Sequence, residues 1–262
     1  MKAGVEALIR LRQFLPPILA AAIGFGGWEL LLRLTQPDGF VLPAPSKIAD
    51  AVIENSAAIQ TATRVTGFIV VSGLLAGVLF GVAAALLVTA FRTANETLTP
   101  LAVAVNAVPI VALAPIFNAW FGLLSPRSNQ AVVVALVFFP IFINTSRGLV
   151  EVEPSQVELM ESYGAPKWRI IREVRIPNAM PYFFTALKLG TSLAVIAAIV
   201  AEYFGGRQDA LGNIITNSAG LTRYADAWAA VLAGSLLGIA LYGLAVLLER
   251  LVMPWYFLGR RT

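Results

Sequence analysis

The chain has 262 residues, of which 58% are hydrophobic and only 13% charged, with a net charge of +4 and a mean hydropathy of +0.78. A soluble domain carries about 25% charged residues, so the composition assigns this chain to lipid rather than water. It contains no cysteine and no histidine. That excludes disulfides, thiol chemistry, Cys/His zinc sites and any triad or general base that needs histidine.

A membrane-spanning helix needs about 20 mostly apolar residues. Six segments qualify: 16–34, 65–90, 99–122, 130–149, 179–203 and 226–252. The first has the shortest apolar core and contains Gly24, Gly26, Gly27 and Glu29. It lacks a small-residue cleavage site and runs straight into Arg33, so it reads as a span and not as a cleaved leader. Glu29 reads as a helix contact or a boundary residue. The next segment, 43–62, contains "PAPSKIADAVIEN" and is too polar to span. Ser46 or the prolines before it can start a short helix there. Ile48, Val52, Ile53 and Ile59 give it an apolar stripe suited to the membrane interface.

Gly73, Gly77 and Gly81 recur every four residues in the second span, the signature of close helix packing. The third span carries Pro109, Pro115 and Asn118. Prolines kink a helix and release carbonyls that can line a cavity. Asn106, Asn144 and Ser192 are further candidates for lining a pathway. Ionisable residues inside a span are functional candidates by default, and the fifth span holds two, Lys188 and Glu202. They are 14 residues apart, or about 21 Å along a helix, so they cannot pair with each other within the span. Lys188 either snorkels to the inner headgroups or serves the pathway. Glu202 either sits at the outer mouth or, with Asn118, shapes an outer gate. Segment 204–224, rich in Gly and Asn, can present a helix to a partner.

Basic residues set the orientation. With the N-terminus inside, 13 of the 19 Lys and Arg lie on the inner side. Both termini and the polar stretch 151–177 are then cytoplasmic. This stretch includes "ESYGAPKWRIIREVRIP", with Lys167, Arg169, Arg172 and Arg175 around Trp168, Ile171 and Val174. Ser155 and Glu158 fit a capping box behind Pro154, an arrangement in which Glu158 contributes about 1 kcal/mol of local capping. A helix from there to Tyr163 would be stopped by Gly164 and restarted at Pro166, giving two short helices with a Gly-Ala-Pro corner. Such a loop either lies on anionic headgroups or docks a soluble partner through an apolar anchor rimmed with charge.

These residues carry a resemblance. Permease subunits of ATP-binding-cassette importers have a cytoplasmic loop of pattern E-A-A-x3-G-x9-I-x-L-P. Glu158, Gly164, Val174 and Ile176-Pro177 match it in spacing, while Leu159 and Met160 replace the alanines. "FVLPAPSKI", "AVPIVALAPIFNAWFG", "ALKLG" and "AIVAEYFGG" resemble further segments of the same family, in the same order. They are most similar to its branch importing nitrate, taurine, sulfonates and pyrimidine or thiamine precursors.

The resemblance implies an all-α polytopic membrane protein with six transmembrane helices, the type I ABC importer permease fold, in the bacterial inner membrane. It implies that the loop sits in a groove of an ATPase and transmits ATP-driven closure to the spans. Glu158 would face a basic residue of that ATPase and Gly164 would form the corner. Tyr163, Ala165 and Trp168 would be the apolar contacts, with Glu161 and Pro177 completing the coupling set. It also implies two ATPase subunits per complex, a second permease copy as a homodimer, and a periplasmic or lipid-anchored binding protein. Nucleic acid is not an expected partner. The chain has no G-x-x-x-x-G-K-[ST] phosphate loop. It is therefore expected to be non-catalytic and to bind no cofactor or metal, with ATP and magnesium on the partner. The wording around residues 162–188 is similar to permeases for pyrimidine or thiamine precursors and riboflavin, with sulfonate, taurine and nitrate permeases next. A secondary transporter and a non-transporting scaffold are the rival classes. The first predicts a buried carboxylate or an interrupted helix near mid-membrane, and usually more spans with internal repeats. The second leaves the prolines and polar residues of the spans unexplained.

Overall fold

In the computed structural model, which describes residues 2–35, 42–91, 96–97, 100 and 109–258, the regular elements described are all helical. Helix α1 is Lys2–Thr35, α2 is Pro45–Glu54 and α3 is Ser56–Ala90. A 3-10 turn, Ile110–Leu113, leads into α4, Ala114–Phe121, and α5 is Pro126–Val150. Next come α6 (Pro154–Ser162) and α7 (Lys167–Ile170), then a π-helical turn (Ile171–Arg175) that runs directly into α8 (Ile176–Phe204). The chain ends in α9 (Leu211–Gly220), α10 (Tyr224–Val252) and α11 (Pro254–Leu258).

Among the described residues, 5 helices are long and apolar enough to cross a membrane: Leu15–Thr35, Ser56–Ala90, Pro126–Val150, Lys167–Phe204 and Tyr224–Val252. Most of the expected third span before Pro109, with Asn106, lies outside the described residues. Its described part is the 3-10 turn and the 8-residue α4. Pro109 precedes the turn, and Pro115 sits in the first turn of α4, where its missing N–H has no intrahelical partner to lose.

The glycines of α3 build the centre of the bundle. A Cβ added at Gly73 would lie 2.7 Å from Val133 Cβ, at Gly77 2.9 Å from Val137 Cβ, and at Gly81 2.8 Å from Ile141 Cγ2. Each glycine therefore accepts a β-branched side chain of α5. The carbonyls of Gln130, Val134 and Phe138 approach those Cβ positions to 3.3, 3.2 and 3.1 Å. Because both sets of numbers rise together, α3 and α5 run parallel, so the connection between Ala90 and Pro126 returns from one end of the pair to the other. Helix α8 packs antiparallel to α5, with Gly148 against Ala179 near one end and Asn129 against the Gly205 turn near the other. Helix α10 packs antiparallel to α8, Gly234 meeting Ile199 while Glu249 meets Lys188.

Helix α2 departs from the amphipathic surface helix expected. It begins at Pro45 behind Ala44, and the Ser46 amide and hydroxyl donate to Glu29 of α1 at 3.0 and 2.8 Å. Glu29 is thus a helix contact, also bonded by Arg33 at 2.7 Å. Ile48 and Ile59 are buried and Val52 is half-buried, but Ile53 is 72% exposed. The stripe is consumed largely by packing, because Ala51 and Ile59 close on Ala229 of α10. Asn55 ends α2 and donates to Asp226 at 3.0 Å, and α3 restarts at Ser56, well ahead of the expected span.

Candidate functional site

The polar stretch stands out from the bundle. Pro154 takes the first helical position of α6, which makes Glu153 the N-cap and leaves Ser155 inside the helix. Among the described residues no hydrogen bond joins Ser155 to Glu158, so the expected capping box is not formed. Glu158 and Glu161 are instead exposed along α6. The corner is as expected. Gly164 has φ +71°, its N–H donates to Glu161 O at 2.9 Å, and Ala165 N–H donates to Met160 O at 3.0 Å. This pair of bonds is the Schellman ending, whose left-handed residue favours glycine.

After the corner, Pro166 is the N-cap of α7, one position before the helix it was expected to begin. The second helix is not short. α7, the π-turn and α8 form one helical run of 38 residues, Lys167–Phe204. The apolar face differs from the expected one as well. Ile170 is 5% exposed, whereas Ile171 and Val174 are only half-buried. Tyr163 and Trp168 stand 81% and 57% exposed around the corner, joined by Leu159 at 56%. The Arg169 guanidinium lies 5.8 Å from the centre of the Trp168 ring. Ala165 is half-buried and Pro177 exposed.

At the opposite end of the bundle, Glu202 is fully buried rather than placed at a mouth. Its carboxylate accepts the Gly212 N–H at 2.8 Å and the Thr66 hydroxyl at 2.9 Å, and Thr66 in turn accepts the Leu211 N–H at 3.0 Å. Ala210, the N-cap of α9, has no side-chain acceptor to offer. Two of the orphan N–H groups of α9 are satisfied from α8 and α3 instead. Gly212 allows this approach, since a Cβ there would lie 2.6 Å from Glu202 Cβ.

The turn between α8 and α9 is held by three carboxamides. Asn118 donates to Phe204 O at 3.1 Å, Asn129 to Gly205 O at 3.2 Å and Asn213 to Arg207 O at 2.9 Å. The Ser128 hydroxyl donates to Asn118 Oδ1. Gly206 has φ +136°, and a Cβ on Gly205 would lie 2.6 Å from Asn118 Nδ2. Beyond the turn, Arg207 donates to Asp209 at 2.9 and 2.7 Å, which holds the Asp209 carboxyl below its ordinary range.

Lys188 does not snorkel to headgroups. Its Nζ lies 2.9 Å from both carboxylate oxygens of Glu249, a buried residue of α10 that the sequence did not single out. Replacing Lys188 alone by Met is expected to cost about 3–5 kcal/mol by stranding the Glu249 charge, and Lys188→Met with Glu249→Leu to recover most of it. Melting temperatures of the two variants in detergent check this. If both melt alike, the pair carries no mutual dependence. Ser192 lies apart from both ends, lining a groove of 430 Å³ between α8 and α10 with Ile196, Tyr203 and Ser235. Asn144 donates to Pro140 O of its own helix at 2.8 Å. The expected pathway residues therefore do not converge. Asn118 and Glu202 fix one end, Lys188 bridges two helices and Ser192 faces a side groove. Thr66, Asn129, Asn178, Asn213 and Glu249 were missed. The one available signal was their polarity within or beside apolar spans.

The profile of the family described as "Binding-protein-dependent transport system inner membrane component" matches residues 77–256. The chain is 33% identical over 248 residues to a formylaminopyrimidine transport permease protein of Halalkalibacterium halodurans, covering 94% of this chain and 98% of that one. It is 30% identical over 231 residues to a riboflavin transport system permease protein of Chloroflexus aurantiacus, covering 87% and 85%. Among solved structures, an amino acid ABC transporter with histidines superposes with a TM-score of 0.62 at 16% identity, over 76% of this chain and 96% of the other. That likeness speaks to the fold.

Proposed function

Since the chain belongs to the family of binding-protein-dependent transport system inner membrane components, we propose that its polar loop is where an ABC importer permease receives the work of a separate ATPase. The protein is a multi-pass transport component of the bacterial inner membrane, and its family operates with ATPase subunits and a substrate-binding protein. The observation that carries the proposal is the Gly164 corner. There Tyr163 and Trp168 are presented to solvent at the foot of a helix continuous with a membrane span. Bulky apolar groups held outward and rimmed by charge suit a protein groove. In this reading the loop end faces the cytoplasm, both termini lie inside, and ATP and magnesium bind the partner. Glu158 and Glu161 meet basic residues of the ATPase.

Two copies of this chain complete the pathway. No residue of span Leu15–Thr35 is fully buried against the rest of the chain, which it touches mainly through Glu29 and the Trp28–Trp228 ring contact, so its apolar surface is available to a second copy. The substrate is a small polar nutrient, and the two relatives named above favour a planar nitrogen heterocycle such as a pyrimidine precursor or a flavin over a sulfonate, taurine or nitrate.

The complex purified from the membrane is expected to contain an ATPase and to show vanadate-sensitive ATP hydrolysis that rises with the binding protein. A purified complex without any ATPase sinks the proposal. A thermal-shift screen of the binding protein against pyrimidines, riboflavin, taurine and alkanesulfonates separates the substrate classes. Stabilisation by the sulfonates alone overturns the heterocycle.

A further inference from the structure

We propose that Asn178 and Arg175 are positioning residues of the transport cycle, fastening the last turn of α5 to the first turn of α8 so that the loop moves both spans as one body. This rests on the loop being the ATPase-docking element. The last carbonyls of α5 have no partner within their own helix. Asn178 Nδ2 supplies donors to two carbonyls at once, Gly148 O at 2.7 Å and Glu151 O at 2.9 Å. A carboxamide nitrogen carries two hydrogens, so both bonds can form together. The Arg175 guanidinium takes Leu149 O at 3.2 Å, placing positive charge at the negative end of α5.

The two helices meet backbone to side chain at this point. A Cβ on Gly148 would lie 2.7 Å from Ala179 Cα and 2.8 Å from the Tyr182 ring. The loop from Glu151 to Pro177 thus leaves and re-enters the bundle at one pinned junction. The π-turn adds to the geometry. In an α-helix of about 3.6 residues per turn, Trp168 and Arg175 would share a face. The wider turn at Ile171–Arg175 separates them, so that Trp168 points to solvent while Arg175 reaches α5. A loose junction would let the loop tilt without the spans following; a doubly bonded one converts tilt into movement of α5 and α8 together.

The test uses the full importer in proteoliposomes, reading substrate imported per ATP hydrolysed. Asn178→Asp keeps the size but turns a donor into an acceptor facing two carbonyls. Import per ATP is expected to fall about tenfold, the scale of losing two ordinary hydrogen bonds, with the KM for ATP and the amount of assembled complex unchanged. Arg175→Met should uncouple likewise, while Arg175→Lys, which retains a cationic donor, should restore coupling. Normal import per ATP in Asn178→Asp, or import and hydrolysis falling together as assembled complex is lost, overturns the positioning role. If Asn178→Asp does not assemble, equal coupling in Arg175→Met and Arg175→Lys overturns it. A wild-type complex that shows no ATP-driven import overturns the importer reading and this inference with it.

Discussion

Gly77→Leu is expected to abolish the folded bundle. The existing backbone separation leaves no room even for a methyl group, since a Cβ at this position would lie 2.9 Å from Val137 Cβ and 3.2 Å from Val134 O. Both neighbours are fixed. Val137 is a fully buried β-branched residue with restricted χ1, and the carbonyl belongs to the α5 backbone. Leucine would force α3 and α5 apart along the whole Gly73–Gly77–Gly81 ladder. Overpacking costs about 1–3 kcal/mol in a core that can adjust, and this one has backbone on one side. In lipid, apolar contact alone does not drive helices together, so close approach supplies much of the association. Monodisperse yield and melting temperature in detergent measure the effect. Gly77→Ala should be intermediate, and Gly77→Ala with Val137→Ala should regain part of the loss. Wild-type melting in Gly77→Leu would mean that α3 and α5 do not pack along this ladder.

Gly164→Pro is expected to uncouple ATP hydrolysis from import while leaving the spans inserted. Proline fixes φ near about −65°, whereas this residue has φ +71°. It would also remove the N–H that donates to Glu161 O at 2.9 Å. The corner would open and Tyr163 and Trp168 would lose their common presentation. No Cβ contact opposes substitution here, since a side chain at Gly164 would meet nothing within 4 Å. Gly164→Ala should therefore cost only the left-handed backbone, about 1–2 kcal/mol, and retain part of the coupling. The readouts are binding-protein-stimulated ATPase activity and import in proteoliposomes, with membrane insertion as the control. Normal import by Gly164→Pro would show that this corner is not the coupling element.

The features legible in the sequence were those whose physics is local. The four-residue glycine period needs only a helical repeat to be recognised, and it describes the contact between α3 and α5 well. The stop at Gly164 was legible because a left-handed helix end selects glycine by backbone energy alone. The spacing of Glu158, Gly164 and Pro177 then identified the family. Local reasoning failed where two local rules competed. Ser155 was a good capping residue, but Pro154 beside it claimed the first helical position and moved the cap to Glu153. Pro166 looked like the start of a short helix, yet that helix passes through a π-turn into a membrane span.

Polar residues inside the spans could be picked out by type but not by role. Lys188 and Glu202 were legible as unusual. Their partners were not, because Glu249 lies 61 residues from Lys188 and Thr66 lies 136 from Glu202. Asn118, Asn129 and Asn213 come from three different segments to hold one turn. By itself, then, the sequence determined that this chain lives in lipid, which face of α3 is narrow and where the Gly164 corner lies. Only the tertiary structure decided which buried polar group answers which. Desolvation favours a partner for each such group, but the partner is set by how distant helices approach, and no local pattern encodes that approach.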